Sequence, residues 1–145
     1  MKINIMTLDD KAVVPTYAKQ GDAGMDLTAT SKTTDKYGNV VYGTGLAMEI
    51  PEGYVGLIFP RSSNSKKDLY LTNHVGVVDS GYRGEIMFKF KPTKENKPLM
   101  DLETYHVGER VGQMIIMPYP QIEFNEVDEL SDTERGSGGF GSSGK

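Results

Sequence analysis

The sequence predicts an all-β domain, a barrel or a sandwich, that runs out into a Gly/Ser-rich tail. Three observations carry this. Short segments rich in Val, Ile, Tyr and Thr recur along the chain, divided at close intervals by Gly, Pro, Asn and Asp. Little of the sequence reads as helix. Beyond Val127 the composition turns acidic and then almost wholly Gly and Ser, which cannot bury enough apolar surface to fold alone. At 145 residues the chain has the size of one domain with a substantial core.

Lys2 to Met6 alternates as a first strand, and Gly24 to Thr30 as another, with Met25 and Leu27 opposite Asp26 and Thr28. A hairpin is expected at Tyr37-Gly38-Asn39, and Pro51-Glu52-Gly53 turns the chain between strands Leu46 to Ile50 and Tyr54 to Pro60. From Gly84 onward a regular strand is expected, with Ile86, Phe88 and Phe90 on its core face and Glu85, Met87, Lys89 and Lys91 on the other. Lys91 to Pro98 reads as an exposed loop. Gln113 to Tyr119 contains the unbroken apolar run Met114 to Met117, which predicts burial on both faces, within one subunit or between subunits.

Charge and composition narrow the function. The 16 basic and 20 acidic residues give a net charge of -4, against a broad grip on nucleic acid or an anionic membrane. Without cysteine there are no disulfides or thiolate metal sites. No segment reads as a signal peptide or a membrane span, and a cytoplasmic address is expected.

The stretch from Asn73 to Ile86 organises the rest. An apolar run, Val75 to Val78, delivers Asp79 to a Ser80-Gly81 turn, where a carboxylate is held by a sheet yet reachable, as a general base must be. A turn aspartate bonding its own backbone is the plainer reading. Pro60-Arg61-Ser62-Ser63-Asn64-Ser65 offers a guanidinium, hydroxyls and backbone donors, either a polar turn or a phosphate cradle. Asp26, between apolar neighbours, calls for a cationic partner or a metal reached directly or through water. Gln113 is a capping amide or a phosphate ligand. In the tail, Arg135 and Phe140 stand among glycines: a flexible end, or a lid whose Arg grips phosphate and whose Phe covers a planar ring.

In this order, Ala23 to Leu27, Pro60 to Ser63, Asn73 to Ile86, Gly108 to Pro118 and Arg135 to Gly144 resemble the five motifs of the trimeric all-β dUTP pyrophosphatase (dUTPase) family. The resemblance implies a distorted jelly-roll or β-barrel domain over 1–128 and a flexible lid over 129–145. It implies hydrolysis of dUTP to dUMP and pyrophosphate, removing dUTP and supplying dUMP for thymidylate synthesis. Asp79 would hold and deprotonate the attacking water and fix the 3'-hydroxyl, and Tyr82 would stack beneath the deoxyribose. Main-chain groups from Asn73 to Val78, including Gly76, would read uracil with help from the Asn73 side chain. Arg61, Ser62 and Ser63 would grip the inner phosphates, Gln113 the outer ones, and Arg135 the γ-phosphate. Phe140, with Gly141 and Ser142, would close over the base. Mg2+ would ride on the triphosphate, reached from Asp26 through water, and three subunits of a homotrimer would share each site.

Departures from the family pattern are Ser63, where Gly is common, the polar run Ser65-Lys66-Lys67-Asp68, and Gly81, where an acid is frequent. Two rival functions are a dCTP deaminase-like enzyme and a non-catalytic, nucleotide-gated regulator. The deaminase needs a glutamate five residues after the glycine matching Gly84, and Lys89 stands there.

Overall fold

A computed structural model describes residues 1–94 and 96–142. The fold is all-β. In chain order the strands are β1 (Asn4–Thr7), β2 (Met25–Thr28), β3 (Ser31–Thr34), β4 (Val40–Gly43), β5 (Leu46–Glu49), β6 (Tyr54–Phe59), β7 (Leu69–Leu71), β8 (Gly76–Val78), β9 (Met87–Pro92) and β10 (Arg110–Pro118). Short 3-10 helices occupy Ser62–Lys66 and Leu99–Asp101. One four-stranded sheet runs β2-β10-β6-β8, the other β3-β4-β9-β7, and β1 pairs with β5. Every pairing is antiparallel.

The core lies where the sheets face one another. From one sheet come Leu27, Ile58, Val78 and Met114, from the other Val40, Tyr42, Leu71, Phe88 and Phe90, with Leu46 and Met48 between them. The alternation expected in β9 holds: Ile86, Phe88 and Phe90 are 2%, 0% and 0% exposed, and the residues between them face outward. Gly112 matters here. A Cβ at that position would fall on the Phe88 ring, so only glycine lets β10 approach so closely.

Several expectations need correction. The strand expected from Gly84 begins at Met87, because Tyr82 to Ile86 is taken up by a turn and its side-chain bonds. Main-chain groups from Asn73 to Val78 do not all lie on one strand: β7 pairs with β9 and β8 with β6, so residues 72–75 carry the chain from one sheet to the other. The polar turn after Pro60 is a 3-10 helix. On β10 Met114 is fully buried, while Met117 is 43% exposed and Tyr119, just beyond the strand, 39%, so within this chain the run is not covered on both faces, which leaves burial between subunits as the reading. Ser143 to Lys145, the end of the expected lid, lie outside the described residues. Among the described residues no helix is long and apolar enough to cross a membrane.

Candidate active site

β8 places Asp79. The strand is anchored by Gly56↔Val78 and Ile58↔Gly76 pairing, and the chain turns as soon as it leaves Val78. The Tyr82 N–H donates to the Asp79 carbonyl at 3.0 Å, and the Arg83 guanidinium donates to the carbonyls of Ser80 at 2.7 Å and Tyr82 at 3.0 Å. Among the described residues the turn is thus closed by backbone and Arg83, with no bond to the Asp79 carboxylate, which is exposed. Tyr82 is held by its hydroxyl, which donates to the Glu85 carbonyl at 2.9 Å. Its ring occupies the space that a Cβ on residue 84 would need, which is why Gly84 is a glycine.

Asp79 and Tyr82 line a cavity of about 310 Å³ together with Asn73, Gly76, Val78 and Lys89. Ile58 forms part of its wall, packed where Gly76 has no side chain. β8 lies at the edge of its sheet, so the main-chain N–H and C=O groups turned away from β6 have no ladder partner. Such groups form a rigid donor and acceptor pattern. The approach to β8 is tightly bent: the Val75 N–H donates to the Asn73 carbonyl at 2.6 Å, and His74 takes a left-handed φ of 61° with its side chain exposed.

A second group assembles on β2, β6 and β10. Gln113 stands opposite both Asp26 and Phe59 in register. The Asp26 carboxylate accepts from Arg61 Nε at 2.8 Å and from Arg110 Nη1 at 3.1 Å, so this acid has two cationic partners. Arg61 Nη1 also donates to Ser63 Oγ at 3.2 Å, and Gln113 Nε2 donates to the Pro60 carbonyl at 3.2 Å. Gly24 faces Gln113 Oε1, which a Cβ there would meet at 2.7 Å.

The 3-10 helix that carries Ser62 and Ser63 is braced from behind. Tyr105, 2% exposed, donates its hydroxyl to Asn64 Oδ1 at 3.1 Å, and Asn64 Nδ2 donates to the Leu69 carbonyl at 2.9 Å. Burial pushes the Tyr105 phenol above its ordinary range, so it remains a donor. Lys67 donates to the Thr104 carbonyl at 3.0 Å and lies 4.9 Å from the centre of the Tyr105 ring. Glu109, beside Lys67, is held below the usual carboxylate range chiefly by the His106 N–H, which it accepts at 2.5 Å.

One chain does not bring the two groups together. β2, with Asp26, and β8, leading to Asp79, are opposite edges of one sheet, three inter-strand spacings or about 14 Å apart. Along β6 the separation is similar: Asp79 lies beside Val55, and Arg61 leaves the far end of the same strand, about 20 Å away. The tail forms a third, separate piece. Arg135 Nε donates to the Gly138 carbonyl at 2.9 Å, Phe140 is fully exposed, and among the described residues no tail side chain, Gly141 and Ser142 included, lines the cavity.

Sequence reasoning missed Arg110 as a partner of Asp26, the brace from Tyr105 to Asn64, and the place of Lys89 in the cavity. Only the last had a legible signal, the alternation that turns Lys89 away from Phe88 and Phe90. Among the described residues no three His, Asp or Glu side chains gather into a metal cage. Both Asp26 oxygens are engaged by guanidinium groups, so a hard cation near this acid would have to take most of its ligands from a bound molecule.

A family model described as dUTPase matches residues 10–144. The deoxyuridine 5'-triphosphate nucleotidohydrolase of Nautilia profundicola is 42% identical, with 100% of both chains covered. That of Corynebacterium glutamicum is 39% identical over 99% of this chain and 95% of its own. Among solved structures, the dUTPase of Staphylococcus bacteriophage 80alpha with dUpNHpp matches with a TM-score of 0.83 at 30% identity, covering 99% of each chain. A mutant dUTPase from phage phi11 of S. aureus, described as revealing the coordination of a structural Mg(II) ion, matches with a TM-score of 0.74 at 25% identity over 90% of this chain and 99% of its own.

Proposed function

Since the chain belongs to the dUTPase family and is an enzyme that hydrolyses dUTP, we propose that Asp79 activates the water that cleaves the α–β phosphoanhydride. The observation that carries this is the unengaged Asp79 carboxylate at the rim of a cavity also lined by Asn73 and Tyr82. The water oxygen bonds to the α-phosphorus, the bridging oxygen leaves with pyrophosphate, and the water proton passes to Asp79. The products are dUMP, available for thymidylate synthesis, and pyrophosphate.

The unpaired main-chain edge of β8 supports uracil recognition. Backbone groups cannot exchange donor for acceptor as an amide side chain can by flipping, so a pattern that fits uracil mismatches cytosine. Tyr82, fixed by Glu85 and by the space at Gly84, offers its face to the deoxyribose. The phosphates belong with Arg61, Ser62, Ser63 and Gln113. Their distance from Asp79 within one chain supports a site shared between copies in a homotrimer, with Arg135, Phe140, Gly141 and Ser142 arriving as the lid 129–145 of a third copy on the barrel 1–128. The unpaired apolar residues Ile122, Phe124 and Leu130, at 67%, 92% and 88% exposure, fit coverage by a neighbouring subunit. Mg2+ on the triphosphate, held through water by Asp26, would neutralise phosphate charge as it develops. A cytoplasmic address completes the proposal.

The test is a substrate panel. Purified protein with Mg2+ should convert dUTP to dUMP and pyrophosphate, leave dTTP and UTP nearly untouched, and release no ammonia from dCTP. Ammonia from dCTP would point to the deaminase reading. Tight dUTP binding without turnover would point to a nucleotide-gated regulator.

A further inference from the structure

Lys89 sits on β9 between Phe88 and Phe90, whose burial turns it to the opposite face with Glu85 and Met87, and all three line the Asp79 cavity. The two ends of that cavity differ. Asp79 and Tyr82 mark one. Lys89 belongs to the other, because the Thr72 N–H and hydroxyl both donate to the Lys89 carbonyl, at 3.0 and 3.1 Å, and Thr72 directly precedes Asn73.

One carboxylate contacts this lysine, and a second shares its cavity. Asp35, from the β3–β4 turn, lies 3.5 Å from the Lys89 ammonium in a partly exposed pair, with Lys89 half exposed. Glu85 shares the cavity, but one of its oxygens accepts the Gly45 N–H at 2.8 Å. A single long contact at a solvent-exposed ammonium leaves donors for another acceptor.

We propose that Lys89 is a specificity-determining residue whose ammonium donates to the 4-carbonyl oxygen of uracil and rejects the 4-amino group of cytosine. This rests on the reading of the cavity as a uracil site. An ammonium has three donors and no acceptor, while uracil presents an acceptor at position 4 and cytosine a donor. With cytosine bound, donor would face donor, and neither the ammonium nor the amino group would recover the hydrogen bond it made to water. The same lysine thus strengthens the right base and penalises the wrong one, and it does so independently of the β8 backbone.

The experiment is equilibrium binding of dUpNHpp and of its deoxycytidine counterpart, with Mg2+, to the wild type, Lys89→Met, Lys89→Gln and Asp35→Asn. Lys89→Met should lower the preference for the uracil analogue by about tenfold, the discrimination expected for one lost charge-assisted bond. Lys89→Gln, whose amide can present an acceptor, should bind the cytosine analogue more tightly than the wild type does. Asp35→Asn should keep or raise the preference, since it frees the ammonium. An unchanged preference in both Lys89 variants, with unaltered thermal unfolding, overturns the proposal. Binding needs no turnover, so a wild type that fails to prefer the uracil analogue sinks the cavity reading itself, whereas a preference that survives both substitutions sinks only the role of Lys89.

Discussion

Asp79 and Asp35 show how differently two carboxylates on one small fold are employed. Asp35 is held down to about 2, chiefly by the Asn39 side-chain amide and then by backbone N–H groups and Lys89. Its folded value lies below the ordinary one, so the native state binds fewer protons there than the unfolded chain does. Its stabilising contribution is present above about pH 4 and disappears as pH falls toward 2. Asp35→Asn should therefore differ from the wild type in unfolding midpoint at neutral pH and converge with it at the acid end, a comparison that chemical denaturation across pH makes directly. Asp79 has no such partners among the described residues, which leaves its carboxylate open to a water. Asp79→Asn should keep dUpNHpp binding while kcat for dUTP falls by about 10²–10⁴-fold, the range typical of a lost general base; a variant with near wild-type turnover would remove Asp79 from the mechanism. Gly84→Ala forces Tyr82 from its seat, and the expected result is a larger loss in kcat/KM than in thermal stability.

In the proposed function, phosphate binding depends on the 3-10 helix after Pro60, whose sequence departs from the family pattern. Asn64 and the polar run behind it cannot pack as an apolar continuation would. The fold compensates with hydrogen bonds, since Tyr105 reaches Asn64 and Asn64 reaches Leu69. Tyr42 completes the brace, its hydroxyl donating to the Tyr105 carbonyl at 3.0 Å and accepting the Tyr105 N–H at 3.1 Å. Tyr105→Phe would leave Asn64 Oδ1 without that donor while preserving the ring. The expected cost is about 1–2 kcal/mol of stability. KM for dUTP should rise more than kcat falls, because Tyr105 only braces the helix that carries Ser62 and Ser63 and itself touches no phosphate. Steady-state kinetics and calorimetric unfolding of the one variant test both halves.

At the scale of the whole molecule, the antiparallel sheet that holds the Asp79 group and the Asp26 group rigid also keeps them apart. Asp79 and Asp26 sit on opposite edges, so no small movement within one chain joins them. A shared site has a sharp consequence. Asp79→Asn and Arg61→Ala should each be inactive alone, yet unfolding and refolding them together should restore part of the activity, since some mixed sites receive both intact residues. Failure of complementation, with mixed assemblies demonstrated, would place the whole site in one chain. Removing the tail from Arg135 onward should lower turnover more than thermal stability, because Phe140 contributes nothing to the core of this chain.

The linear order of residues determined the all-β class, the inward face of β9, the end of a strand as the place of Asp79, and the five motifs that mark the family. All of these depend on local periodicity, turn chemistry or spacing, which are written along the chain. Tertiary structure alone decided that β7 and β8 part into different sheets, that Arg110 joins Arg61 on Asp26, that Tyr105 braces Asn64, and that Lys89 opens on the same cavity as Asp79. Each of those joins segments distant in sequence, and pairing at a distance is set by which sheet edge a strand takes. Alternation along a strand says which way a side chain points, but only packing says what it points at.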